Sequence, residues 1–294
     1  MKTLVIGGTG TVGSQVVQEL VRQQQAVRVL VTSAEKAALL PDGVEAAVGN
    51  MDEPATLPKA FEGIDQVFLL NRLSQTEVAQ GSFAVAAAKR AGVRKIVYQS
   101  IHNAYEGFHI PHFRTKISLE KTILWSGLNY VFICPNNFYQ NDFWFREGVI
   151  NYGLYTQPIG GIGLNRVDVR DIAEATVKVL MTTEFDGQRI PLVGPDVLTG
   201  PSVARALSQQ LGYDVQYAGD DLAAWAAQAK LGLPDWLVDD SVAMYTFFQK
   251  QGLKATTPEL DLLTRVLGRA PRSYADFVND YAAVFRREAE LVEP

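Results

Sequence analysis

Short β-branched runs alternate along the first half of the chain with segments whose apolar residues recur at helical spacing. This alternation is typical of βαβ units and predicts a parallel sheet. The predicted strands are Lys2–Ile6, Val27–Val31, Val44–Val48, Gln66–Leu70, Lys95–Gln99 and Tyr130–Cys134. The predicted helices of this half are Val12–Val21, Gln75–Ala91 before Gly92, and Pro111–Ser126 before Gly127.

Beyond Pro135 the periodicity weakens, and residues 136–164 are expected to line a pocket because they mix amides, glycines and aromatics. Order returns at Arg166–Val169, and Asp171 is the expected N-cap of a helix, Ile172–Met181. The later predicted elements are a strand at Arg189–Val193 and helices at Pro201–Leu211, Asp221–Leu231, Pro234–Gln251, Pro258–Leu267 and Tyr274–Glu288. We therefore expect one domain of residues 1–135 and about 165–195, and a smaller domain of residues 136–164 and 196–294.

The composition narrows the class of protein. Of 294 residues, 47% are hydrophobic and 20% charged, which is typical of a globular chain. The net charge of −5 argues against direct nucleic-acid binding, which usually needs a basic surface. No apolar run is long enough to predict a membrane span or a signal peptide. The single cysteine, Cys134, fits a reducing compartment, so we expect a cytoplasmic protein.

A glycine-rich loop, Gly7–Gly13, joins the first predicted strand to the first helix. Its glycines allow a tight turn, a close approach to a pyrophosphate, and close packing of helix on strand. The free N–H groups at the helix start would then face phosphates, although a tight turn without a ligand is the alternative. The cofactor-binding residues expected here are Gly7, Thr9, Gly10, Thr11, Val12 and Gly13.

With the strand pattern, this loop predicts an α/β fold: a doubly wound, mainly parallel Rossmann sheet with a smaller, mostly helical C-terminal portion on the substrate side. The end of the second strand then bears on the choice of dinucleotide. An NAD site favours an acidic residue there, whereas this chain has Thr32 and Ser33 followed by Lys36, which could pair with a 2′-phosphate. NADP(H) is therefore favoured over NAD, although Glu35 is also present and is expected to point away from the helix start.

Residues after the fourth and sixth strands are expected to lie along the cofactor, because ligands bind at the carboxyl ends of such strands. These are Leu70, Asn71, Arg72, Pro135, Asn137 and Phe138. Arg72 could instead be an ordinary surface charge. The aromatics Tyr139, Trp144 and Phe145 could line a pocket or pack between the domains.

Several motifs together resemble the NmrA-like family of atypical short-chain dehydrogenases/reductases. They are Gly7–Gly13, Gly49–Asp52, Val97–Ser100, Pro111–Lys116, Cys134–Phe138 and Leu267–Phe277. The resemblance covers nearly the whole chain and implies an NAD(P)H-binding protein. It implies either a reductase of compounds such as quinones, dyes or enones, or a redox sensor that catalyses little.

Short-chain dehydrogenases use a serine, a tyrosine and a lysine, the last two four residues apart on one helix face. By this resemblance Ser100 matches the serine and Lys116 the lysine, which would hold the cofactor ribose. His112 stands at the tyrosine position, which puts standard carbonyl reduction in doubt. A histidine could still donate a proton, or it could simply begin the helix after Pro111.

Two functions follow from this reasoning. The first is an oxidoreductase that passes hydride from NADPH to a small apolar acceptor such as a quinone, an enone or a related carbonyl compound. The second is a catalytically weak NADP(H) sensor that regulates a partner protein. In either case, the chain could form a homodimer. An epimerase is disfavoured because such enzymes need the tyrosine. The spacing of His102, His109 and His112 fits no metal template, so no metal is expected.

Overall fold

The computed structural model describes residues 1–286. Its strands are β1 (Lys2–Ile6), β2 (Ala26–Val31), β3 (Glu45–Val48), β4 (Gln66–Leu69), β5 (Lys95–Gln99), β6 (Asn129–Pro135), β7 (Leu154–Tyr155), β8 (Arg189–Leu192) and β9 (Gln216–Tyr217). Seven of them form one sheet in the order β3-β2-β1-β4-β5-β6-β8, and every neighbouring pair in it is parallel. The order reverses on either side of β1, as in a doubly wound sheet. The predicted fold class is therefore confirmed.

Helices cover both faces of this sheet and build the C-terminal portion. They are α1 (Thr11–Arg22), α2 (Ala34–Ala37), α3 (Pro58–Phe61), α4 (Glu77–Arg90), α5 (Pro111–Ser126), α6 (Arg146–Tyr152), α7 (Val169–Met181), α8 (Gly200–Leu211), α9 (Leu222–Ala229), α10 (Asp235–Gln251), α11 (Thr257–Leu267) and α12 (Tyr274–Asp280). Short 3₁₀ helices span Pro54–Thr56, Tyr139–Phe145 and Ala282–Phe285.

Three apolar clusters hold these layers together. One packs α1, α7 and α11 against one face of the sheet, and a second packs α3, α4 and α5 against the other. A third joins the first half of α5 to residues 139–164 and 198–285. The separate third cluster supports the division into two domains, which stays a prediction.

Three sequence expectations were wrong in detail. Asp168, and not Asp171, caps α7, because the Asp168 side chain accepts the N–H of Arg170 and the helix already begins at Val169. The stretch 136–164 contains a helix, α6, that no periodicity revealed. The helix expected at Tyr274–Glu288 ends at Asp280, and residues 287 and 288 lie outside the described part of the chain.

A fully buried ion pair connects the chain segments around Asp142 and Arg166. Arg166 lies 2.8 Å from Asp142, and neither side chain is exposed. The hydroxyl groups of Tyr155 and Tyr274 donate to the two oxygens of the same carboxylate, at 2.9 and 2.7 Å. A buried charge pair is tolerated when further hydrogen bonds satisfy its remaining atoms, and these tyrosines meet that need.

Candidate active site

The glycine loop has the geometry of a phosphate cradle. Gly7 adopts a φ of +83°, and its carbonyl accepts the N–H of Gly10 at 3.0 Å. A Cβ on Gly13 would lie 2.1 Å from that carbonyl, so only glycine allows α1 to pack this closely on the loop. A Cβ on Gly10 would meet only the Gly7 oxygen, at 3.4 Å, and otherwise open space. The loop therefore leaves room where a ligand would approach.

The start of α1 also fits an anionic ligand. Gly10 is its N-cap, and no side chain caps the helix. Thr9, Gly10 and Thr11 are exposed, whereas the Val12 side chain is buried in the core and could contribute only its backbone N–H. Uncapped N–H groups at a helix start favour phosphate through both hydrogen bonding and the helix dipole.

Buried oxygens without partners mark the carboxyl ends of β4, β5 and β6. They are Asn71 Oδ1, Gln99 Oε1 and Asn137 Oδ1, none of which has a hydrogen-bond partner within residues 1–286. Buried polar atoms are normally paired, so these amides point to a ligand that supplies donors. Leu70 lies directly beside the loop, since its carbonyl would be 2.6 Å from a Cβ on Gly7. The strand ends therefore fit a bound dinucleotide.

Three expected cofactor contacts, Thr32, Ser33 and Lys36, follow β2. Thr32 is exposed after β2, and Ser33 caps α2 by accepting the N–H of the exposed Lys36 at 3.4 Å. Hydrogen bonding to the Ser33 side chain lowers the pKa of the Glu35 carboxyl, which is exposed. The expectation that Glu35 points away from the helix start stays a prediction.

Among the residues expected along the cofactor, Arg72 is exposed and Phe138 is half-buried. Pro135 is buried at the end of β6, where its carbonyl accepts the N–H of His102. Trp144, considered for the pocket or the domain junction, is 82% exposed and lines neither. Tyr139 is fully buried in the third apolar cluster, and Phe145 packs on Tyr155.

Ser100 directly follows β5, at the carboxyl end of that strand. It is buried, and its hydroxyl donates to Glu120. The other Glu120 oxygen lies 2.5 Å from the guanidinium of Arg189 and forms an ion pair with it. The Ser100 proton is therefore committed to Glu120 and is not free to polarise an acceptor oxygen.

Lys116 lies on the second turn of α5, one turn after His112. Its ammonium is 2.7 Å from Glu77, whose carboxylate is completely buried, and 5.7 Å from the centre of the Tyr98 ring. The second Glu77 oxygen accepts the hydroxyl of Thr115 at 3.2 Å. This pairing holds the Lys116 ammonium in one place at the carboxyl end of the sheet.

His112 is held by an acid from the C-terminal portion. Its Nδ1 lies 2.6 Å from one oxygen of Asp240 on α10, and its backbone N–H donates to the other at 2.9 Å. Asp240 is 4% exposed and His112 is 14% exposed. Nothing in the sequence pointed to Asp240, because 128 residues separate the pair.

The other two histidines have separate environments. His102 is buried between Asn136 and Glu259, and His109 lies against the ring of Phe247. Within the described part of the chain, no group of three or more acidic, histidine or cysteine side chains could hold a metal ion.

A cleft of about 400 Å³ lies at the β6–β8 edge, lined by residues that include Tyr105, Cys134, Arg189 and Leu262. It contains none of the expected cofactor residues. Burial raises the pKa of the Cys134 thiol to about 12, which keeps it protonated and unreactive. The cleft therefore shares no lining residue with the expected cofactor site, although Arg189 pairs with the Glu120 that holds Ser100.

The chain is similar to known proteins over nearly its whole length. The model of the NmrA-like family matches residues 1–261. The chain is 33% identical to an NAD(P)H azoreductase of Xenophilus azovorans over 96% of this chain and 98% of that protein. It superposes on the NADPH complex of an NADPH-dependent quinone oxidoreductase from Escherichia coli with a TM-score of 0.85 and 24% identity, covering 95% and 99% of the two chains. The negative transcriptional regulator NmrA gives a TM-score of 0.78 at 18% identity, covering 99% and 98%.

Proposed function

The chain belongs to the NmrA-like family, and from that premise we propose that it is an NADPH-dependent reductase that transfers hydride to a small, apolar, electron-poor acceptor. The observation that carries the proposal is the convergence of the open glycine loop, the unpaired amides at the strand ends and the Lys116–Glu77 pair at one edge of the sheet. The coarser function, an NAD(P)H-dependent reductase, agrees with the azoreductase relative.

The protein's part in such a reaction is to bind, to orient and to supply a proton. When bound, NADPH supplies the hydride. The Gly7–Gly13 loop would hold its pyrophosphate, Lys116 its nicotinamide ribose, and Asn71 and Asn137 its neighbouring polar groups. Ser33 and Lys36 would hold the 2′-phosphate, with Glu35 opposing that contact by its charge.

Proton delivery falls to His112 rather than to Ser100, because the Ser100 hydroxyl is engaged by Glu120. A quinone suits this arrangement, since its reduced oxygens are more acidic than an alkoxide and need less help from a tyrosine. An enone or a related carbonyl compound would gain more from a proton donor.

The acceptor is tested by following NADPH oxidation with quinones, enones, aldehydes and azo dyes. We expect turnover with at least one quinone or enone. Lys116→Met should weaken NADPH binding and turnover, whereas the exposed Lys121→Met on the same helix serves as the matched control. Tight NADPH binding with no turnover across the panel would contradict the proposal.

The regulatory alternative has less support, because the likeness to the regulator NmrA is one of fold at 18% identity. No helix among residues 1–286 is both long enough and apolar enough to cross a membrane. The cytoplasmic location, the absence of direct nucleic-acid binding and the homodimer stay predictions.

A further inference from the structure

The contact between Asp240 and His112 has a geometry that a simple surface contact lacks. Asp240 is almost fully buried, and its two oxygens accept two different groups of one residue, the backbone N–H and ring Nδ1 of His112. A buried carboxylate is costly unless hydrogen-bonded donors satisfy both oxygens. The arrangement therefore fixes both the start of α5 and the orientation of the imidazole.

The same contact determines which ring nitrogen carries a proton. A carboxylate can only accept, so Nδ1 must carry the hydrogen it donates. The other nitrogen, Nε2, has no hydrogen-bond partner among the described residues, while the His112 side chain keeps some exposure. When the ring carries a second proton, that proton is on Nε2 and can be donated from there.

We propose that Asp240 is a positioning residue for His112: it fixes the Nδ1–H form and leaves Nε2 as the atom that donates a proton to the reduced acceptor. The inference rests on the proposed function. The acceptor gains the hydride from NADPH at one atom and the Nε2 proton at its oxygen or nitrogen. His112 is left neutral and regains its proton from solvent.

A purely structural role is the competing explanation, because Asp240 also ties α10 to the first turn of α5. The two roles predict different results. If Asp240 has a purely structural role, its loss would affect folding and substrate binding together. If it positions His112, its loss would affect the chemical step and the protonation of the imidazole ring.

The kinetic test compares Asp240→Asn with Asp239→Asn, which removes the same charge from the neighbouring exposed position on α10. For Asp240→Asn we expect kcat to fall by about 10- to 100-fold, the usual effect of losing the group that orients a functional histidine, with NADPH Kd and acceptor KM little changed. Asp239→Asn should match the parent. Introducing Asp240→Asn into His112→Gln should cause no further fall, since both act through one ring.

The spectroscopic test does not depend on activity. Long-range ¹H–¹⁵N spectra of histidine-labelled protein, with His112→Gln to assign the signal, report which ring nitrogen is protonated. We expect Nδ1–H in the neutral ring of the parent, and an altered tautomer balance in Asp240→Asn. An Nε2–H tautomer in the parent would overturn the inference, even if the Asp240→Asn variant failed to fold.

The two proposals fail separately. A parent protein that turns over no acceptor refutes the proposed function and proton donation, while the spectra still decide the tautomer. An active parent whose kcat and tautomer are unchanged in Asp240→Asn refutes the inference alone.

Discussion

Replacing Gly10 with alanine separates phosphate binding from folding. Gly10 has a φ of −89° and a ψ of 175°, which alanine adopts without strain. The added Cβ meets only the Gly7 carbonyl oxygen, at 3.4 Å. The folded state therefore accommodates the methyl group, and the loss of glycine's freedom in the unfolded chain should add about 0.4–1 kcal/mol to the free energy of unfolding.

The same methyl group occupies the open space of the phosphate cradle. If it displaces one charge-assisted hydrogen bond between backbone and phosphate, the binding free energy falls by about 1.5–3 kcal/mol. That loss corresponds to a Kd for NADPH about 10- to 150-fold weaker. Thermal unfolding without cofactor and fluorescence titration of NADPH measure the two quantities on one sample.

Two other glycines provide the controls for this experiment. Gly232→Ala adds a methyl group in open space away from the loop, so it should raise the free energy of unfolding by a similar amount and leave NADPH binding unchanged. Gly13→Ala places a Cβ 2.1 Å from the Gly7 carbonyl, so it should destabilise the apoprotein itself by about 1–3 kcal/mol or more. If Gly10→Ala binds NADPH as the parent does, the loop backbone does not contact the phosphates.

Two further predictions concern charge. Lys36→Glu should weaken NADPH binding more than NADH binding, because the exposed ammonium would face the 2′-phosphate that only NADPH carries; equal effects in paired titrations would exclude this contact. Glu77→Gln leaves the buried Lys116 ammonium without its countercharge, and breaking such a pair costs about 3–5 kcal/mol, seen as a lower Tm. Adding Lys116→Met to Glu77→Gln should restore much of that loss, and a double variant no more stable than the single one would argue against a buried ion pair.

Local sequence signals were enough to predict most of the sheet and the cofactor loop. Each strand of the first half is a short apolar run bounded by turn residues, and Gly7–Gly13 joins a strand to a helix at fixed spacing. These features depend on neighbouring residues alone. The predictions failed where neighbouring residues alone did not reveal the element. Helix α6 has one buried residue, Val149, so its short amphipathic pattern could not be read.

The candidate site shows the same difference between features that depend on neighbouring residues and features that depend on distant ones. Lys116 and His112 were identified through the resemblance to short-chain dehydrogenases, but the acids that orient them, Glu77 and Asp240, come from other helices. Ser100 was placed correctly at a strand end, yet its burial and its bond to Glu120 depend on the packing of α5. A single sequence specifies such pairings only through the whole fold.

The buried pair of Arg166 and Asp142 has a consequence for how the chain is made. Its carboxylate needs the hydroxyl of Tyr274, which the ribosome adds more than 100 residues after Arg166. Until Tyr274 has been synthesised, the Asp142 carboxylate of this ion pair lacks one of its hydrogen-bond donors. The N-terminal sheet can assemble during translation, but the smaller portion can close only after Tyr274 has been synthesised.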